Sequence, residues 1–108
     1  MTDTLPALAA APEPLDAVLE RATASLVALG ELGEQIQDEW QYVNDLVRIH
    51  TADLRTLAAA DARPVDPASA RAIDLAIEEA GLVIDPHRAI DWISTFPQIV
   101  RLALETRA

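Results

Sequence analysis

Cysteine is absent from the chain, and aromatic residues make up only 4% of it. The absence of cysteine excludes a disulfide framework, a thiolate metal site and a cysteine nucleophile. No apolar run approaches the ~18 residues that a membrane-spanning helix requires. The first residues carry acidic but no basic side chains, unlike a signal peptide. We therefore expect a soluble protein and, by default, a cytoplasmic one.

Positive charge is also scarce. All eight basic residues are arginine, and they are outnumbered by 18 acidic residues, which gives a formal net charge of −10. Proteins that bind nucleic acid need a basic patch to displace counterions from phosphates, and anionic membranes attract basic segments. The composition therefore predicts neither a nucleic-acid partner nor a membrane partner.

Apolar residues make up 51% of the 108-residue chain, and alanine and leucine dominate them. Strands favour valine, isoleucine, threonine and aromatic residues, so this composition is typical of packed helices. The length allows one domain with one core. We predict a flexible N-terminal segment at 1–14, which is rich in proline, and a single all-α domain at 15–106.

A heptad pattern of mainly apolar residues runs through the first half of this domain. Its positions are alternately four and three residues apart, the 3.5-residue period of a helix whose apolar seam faces a partner helix. The seam consists of Leu15, Leu19, Ala22, Leu26, Leu29, Gly33, Ile36, Trp40, Val43, Val47, His50, Leu54 and Leu57. Because the phase is the same on both sides of Gly30 and Gly33, we predict one long helix over about 15–60, with a kink at these glycines as the alternative.

Proline and glycine mark two or three shorter helices in the remainder. Asp66-Pro67 and Asp85-Pro86 each combine an N-cap residue with proline at the first helical position. Gly81 is expected to end the first of these helices, and Pro97 to bend or restart the last one. We expect these helices to fold back on the C-terminal half of the long helix, and the Leu82–Ile84 link to pack down.

In this arrangement, the N-terminal half of the seam is left uncovered. Monomeric proteins rarely expose so continuous an apolar stripe, and two-fold dimers dominate among oligomers. We therefore predict a non-enzymatic interaction or scaffold module that self-associates as a homodimer or higher oligomer. The predicted interface residues are Leu15, Val18, Leu19, Leu26, Leu29, Leu32 and Trp40. Two alternatives stay open: an adaptor or subunit of a larger assembly, and a small-ligand or metal-binding bundle that uses His50.

The segment Asp85–Pro97 has the densest chemistry of the chain. Its candidate partner-binding residues are His87, Arg88, Asp91 and Trp92. His87, Asp91 and Ser94 share one helix face, but Ser94 would lie about 10 Å along the axis from His87, too far for a nucleophile and its base. The Glu-x-x-His pairs of di-iron bundles are also absent. The sequence therefore predicts no catalytic residue, no metal site and no cofactor.

Overall fold

A computed structural model of the chain describes residues 11–36, 38 and 40–107, which form four α-helices. These are α1 (Leu15–Gly33), α2 (Trp40–Ala60), α3 (Pro67–Ala80) and α4 (Pro86–Glu105). The all-α class is confirmed for these residues. Most of the predicted flexible segment, residues 1–10, lies outside the described part of the chain. None of the four helices is both long enough and apolar enough to cross a lipid bilayer.

The single helix predicted over about 15–60 is wrong, because α2 runs back along α1. A Cβ atom built on Gly30 would lie 2.8 Å from Cγ2 of Val47, and one built on Gly33 would lie 3.1 Å from Cγ1 of Val43. Gly30 faces Val47, whereas Gly33, later on α1, faces Val43, which is earlier on α2. The two helices are therefore antiparallel. The glycines therefore allow a second helix to approach α1 closely, where any side chain would keep it away.

The four helices run alternately up and down. The start of α3 lies beside the start of α1, since the backbones of Glu13 and Val65 exchange two hydrogen bonds of 2.8 Å. Farther along, Arg21 of α1 contacts Asp74 of α3 at 3.1 Å. α1 and α4 form a central antiparallel pair, with α2 packed on one side of it and α3 on the other. The largest fully buried side chains of the core are Phe96, Leu26, Leu54, Ile73 and Ile93.

Both Asp-Pro signals begin helices as predicted. The Asp66 carboxylate accepts a hydrogen bond from the backbone N–H of Ser69 at 3.3 Å, and the Asp85 carboxylate accepts one from the backbone N–H of His87 at 3.1 Å. Gly81 follows the last residue of α3, again as predicted. The local signals at these three boundaries therefore determine where the helices begin and end.

Pro97 does not restart the last helix, because α4 continues through it without interruption. An interior proline typically costs about 3 kcal/mol. Full burial of one large apolar side chain contributes about 1.5–3 kcal/mol, and Ile93, Phe96 and Val100 are all fully buried around this proline. The packing of the helix against the core therefore outweighs the lost hydrogen bond.

An ion cluster joins the end of α4 to the end of α2. Arg107 is buried, and its Nη2 donates to the backbone oxygen of Asp61 at 2.7 Å and lies 3.0 Å from the carboxylate Oδ1. Nη2 of Arg63 binds the same carboxylate at 2.8 Å. Hydrogen bonds from Arg63 and then Arg107 hold the pKa of Asp61 well below its ordinary value. We call these three residues the Asp61 clasp; its carboxylate compensates part of the burial of Arg107, whose Nε and Nη1 are buried without a hydrogen-bond partner within the described residues.

The contact at Gly30 predicts the effect of a larger residue there. In a continuous exposed helix, Gly30→Leu would raise stability by about 0.5–1 kcal/mol, because interior glycine is unfavourable. Against Val47 it should instead lower the free energy of unfolding by about 1–3 kcal/mol through overpacking. Chemical denaturation followed by circular dichroism measures this change.

Gly81→Ala is the matched control for that substitution. Its Cβ would meet the carbonyl oxygens of Glu78 and Ile77 at 3.4 and 3.8 Å, which are ordinary contacts, and its φ of −65° suits any residue. It should be neutral or slightly stabilising. Adding Val47→Ala to Gly30→Leu should restore part of the loss. A Gly30→Leu protein more stable than the wild type would contradict the hairpin.

The Asp61 clasp predicts a pH dependence of stability. Because the folded-state pKa of Asp61 is depressed, its contribution is present above the unfolded-state pKa of about 3.9 and is lost as the pH falls through the folded-state pKa. Asp61→Asn should therefore lower Tm at neutral pH and reduce the fall of Tm below about pH 4. The exposed Asp53 has no ion pair within the described residues, so Asp53→Asn should change neither. Identical Tm profiles for all three proteins would refute the clasp.

Candidate interaction surface

The residues predicted to form a self-association seam lie mostly in the core of a single chain. Leu15, Val18, Leu19, Leu26 and Leu29 are buried, Leu32 is half-buried against the core, and Trp40 is 52% exposed. The other three helices cover the N-terminal half of the seam because α2 folds back and both α3 and α4 pack on α1. The uncovered stripe on which the seam prediction depended is therefore absent from this fold, and that premise is wrong.

His50 lies half-buried at a groove between α2 and α4. The groove measures about 190 Å³ and is also lined by Asp53, Leu54, Pro97, Gln98 and Arg101. Across residues 11–36, 38 and 40–107, no group of three or more His, Asp and Glu side chains is placed to hold a metal ion. The mixed lining of the groove singles out no class of ligand for His50.

The most exposed large apolar side chains of the described residues lie on the link between α3 and α4. Leu82 is 80% exposed and Ile84 is 87% exposed, whereas Val83 between them is half-buried. The prediction that this link packs down is therefore wrong for its two outer residues. The backbone N–H groups of Leu82 and Val83 donate to the carbonyl oxygens of Glu79 and Ala80, both at 3.1 Å, so the chain leaves α3 in a turn. With so few residues before α4 begins, only Val83 of the three packs against the core.

The link borders a groove together with the first two turns of α4. This groove measures about 390 Å³ and is lined by Glu79, Leu82, Val83, Ile84, Asp85, Arg88 and Trp92. The Trp92 ring is half-buried and packs against the core, and its centroid lies 6.4 Å from that of Phe96 with the planes tilted by 56°. We call Leu82, Val83, Ile84, Arg88 and Trp92 the α3–α4 surface.

The α3–α4 surface includes part of the partner-binding set predicted from the sequence. Arg88 and Trp92 line the groove, and His87 and Asp91 are exposed on the same two turns of α4. Sequence reasoning missed Leu82 and Ile84. The signal that could have found them is their position between a helix stop and an N-cap, which leaves too little chain to reach the core.

A second groove adjoins the first at Val83. It measures about 280 Å³, lies between α1 and α3, and is lined by Ser25, Ala28, Leu29, Leu32, Ile77, Ala80, Gly81 and Val83. Because Val83 borders both grooves, the apolar surface continues from the start of α4, across the link, to the crevice between α1 and α3.

Negative charge is concentrated at the same end of the bundle. This turn end carries the α1–α2 and α3–α4 connections. Its acidic residues that form no ion pair within the described residues, here called the turn-end acids, are Glu31, Glu34, Asp38, Glu78, Glu79, Asp85 and Asp91. Two arginines lie in this half of the bundle: Arg88 beside these acids, and Arg48 on α2, which pairs with Asp45 at 2.8 Å. The six arginines nearer the opposite end are Arg21, Arg55, Arg63, Arg71, Arg101 and Arg107.

Comparisons of the chain with known protein families, with curated proteins and with solved structures find no match. The α3–α4 surface is therefore interpreted from its own chemistry. It has an apolar centre fixed by one tryptophan, a rim of unpaired carboxylates and one arginine.

The burial of the seam predicts how its residues respond to truncation. Leu26→Ala should lower the free energy of unfolding by about 2–5 kcal/mol, because the side chain is fully buried. Leu102→Ala is the control: this leucine is 62% exposed, and its removal should change stability by no more than about 0.5 kcal/mol. The loss of stability caused by Leu26→Ala should be the same at every protein concentration, because Leu26 packs within one chain. A loss that grows on dilution would indicate a contact between chains instead.

Proposed function

We propose that the chain is a non-enzymatic helical adaptor or subunit that binds another protein through the α3–α4 surface. The observation that carries this proposal is the exposure of Leu82 and Ile84 beside the half-buried Trp92. Full burial of each exposed aliphatic side chain contributes about 1.5–3 kcal/mol, and tryptophan is enriched among the residues that dominate binding energy. An apolar centre with a charged rim is the usual anatomy of a protein interface.

The form of the surface favours a macromolecular partner over a small ligand. Small-molecule sites are concave and enclose most of the ligand among apolar side chains. Here Leu82 and Ile84 project from the bundle, so a ligand in the groove would leave most of their surface exposed to water. A partner protein can cover both residues and the groove together.

The rim favours a different protein over a second copy of this chain. A two-fold contact buries the same patch of both copies. The carboxylates of Glu79 and Asp85 outnumber the one arginine that lines this groove, Arg88, so two such patches would meet with net negative charge on both sides, which opposes association. The adaptor hypothesis therefore takes precedence over self-association.

Photocrosslinking tests the proposal in the cells that produce the protein. A benzoylphenylalanine residue at position 84, replacing Ile84, should form a discrete adduct because this position lies within the proposed interface. The same residue at position 102, replacing the exposed Leu102 farther along α4, should not. Adding Leu82→Ser to the first protein should remove the adduct.

The mass of the adduct identifies the partner class. A partner of different sequence supports the adaptor, whereas an adduct of two 11.7 kDa chains would show self-association instead. Equal adducts from positions 84 and 102, or none from position 84, would contradict docking at the α3–α4 surface.

A further inference from the structure

We infer that the segment bound by the α3–α4 surface is a basic amphipathic helix of the partner protein. The inference rests on the proposed function and adds to it the shape and charge of the bound segment. Two features of the turn end support it: the two grooves that adjoin at Val83, and the carboxylates without ion pairs within the described residues, of which Glu79 and Asp85 line the first groove.

The shape of the surface suits a helix. Residues three or four apart on a helix lie about 5–6 Å from each other on one side, so they form a single apolar stripe. Two grooves that share Val83 can receive consecutive side chains of such a stripe, as in helix-in-groove recognition. A segment that binds by adding a β-strand would instead need a free sheet edge. Within the described residues, the one β-type pairing is the Glu13–Val65 bridge, at the other end of the bundle.

The charge of the surface requires a basic helix. Glu79 and Asp85 line the first groove together with Arg88, and the exposed Glu78 and Asp91 neighbour Glu79 and Trp92 in the sequence. These carboxylates make no ion pairs within the described residues, so lysine or arginine beside the partner's apolar stripe would have partners. An acidic helix would meet repulsion along the same line, and so would a second copy with its own net charge of −10.

Three synthetic helical peptides of about 18 residues, long enough to form helix, test the inference directly. All three carry the same leucine stripe, and they differ only in flanks of lysine, glutamine or glutamate. Binding of each labelled peptide to the full chain is measured by fluorescence anisotropy. The lysine peptide should bind at least about tenfold more tightly than the glutamine peptide, and the glutamate peptide most weakly. Raising salt from about 0.05 M to about 0.5 M should reduce the difference, because it screens the rim charges.

Matched variants distinguish docking from general attraction between opposite charges. Leu82→Ser with Ile84→Ser should weaken binding of the lysine peptide about tenfold or more. Leu102→Ser, which removes an exposed leucine at a remote site, should change the affinity of this peptide less than about twofold. Glu78→Gln with Glu79→Gln should reduce the preference for lysine over glutamine flanks. Glu20→Gln with Glu105→Gln, two exposed acids toward the opposite end, should leave that preference intact.

The outcomes separate the inference from the proposed function. If the three peptides bind equally tightly and all depend on Leu82 and Ile84, the inference that the partner helix is basic is wrong, while the proposed docking at the α3–α4 surface is supported. Tight binding of the lysine peptide that is equally strong in the Leu82→Ser, Ile84→Ser protein would show charge attraction alone and overturn the inference. If no peptide depends on Leu82 and Ile84 and the crosslink at position 84 is also absent, the proposed function fails with it.

Discussion

The close packing of α2 against two glycines of α1 determines the rest of the architecture. At Gly30 and Gly33, a Cβ atom would lie 2.8 Å and 3.1 Å from side-chain carbons of Val47 and Val43, respectively. With this contact, the segment for which the heptad pattern predicts one long helix folds as an antiparallel hairpin of α1 and α2. The hairpin places the two halves of the seam on separate antiparallel helices, and α3 and α4 cover the remaining sides of α1. The surfaces available to a partner are therefore those outside the hairpin contact.

Sequence patterns predicted the helices better than their arrangement. The Asp66 and Asp85 caps and the stop at Gly81 each depend on residues close in the chain, so local chemistry was sufficient to predict them. The 3.5-residue period only states that one side of a helix faces another helix. It is equally compatible with a partner chain and with the same chain returning after a turn, so it could not distinguish a dimer seam from the Gly30–Val47 contact.

The candidate surface was predictable only in its helical part. Arg88, Asp91 and Trp92 stood out because they follow a clear helix start and combine charge with an aromatic ring. Hydrophobicity alone predicts that Leu82 and Ile84 pack against the core. Their exposure depends instead on how much chain separates α3 from α4 and on where the two helices lie. That information is tertiary. The same limit applies to the charge distribution, because the turn-end acids come from separate helices and become neighbours only in the bundle.

The carboxylates at the two ends of the bundle differ in whether they form ion pairs. This difference explains how the apolar α3–α4 surface avoids association with other copies of the chain. Near the opposite end, the Asp61 clasp pairs its carboxylate with Arg63 and Arg107 and closes the junction of α2 and α4. At the turn end, Glu79 and Asp85 line the groove of Leu82 and Ile84 and form no ion pair within the described residues. Repulsion between copies opposes aggregation through these apolar residues, while the same field attracts a partner of opposite charge. In the function proposed above, the acidic rim therefore both keeps copies of the chain apart and selects the partner.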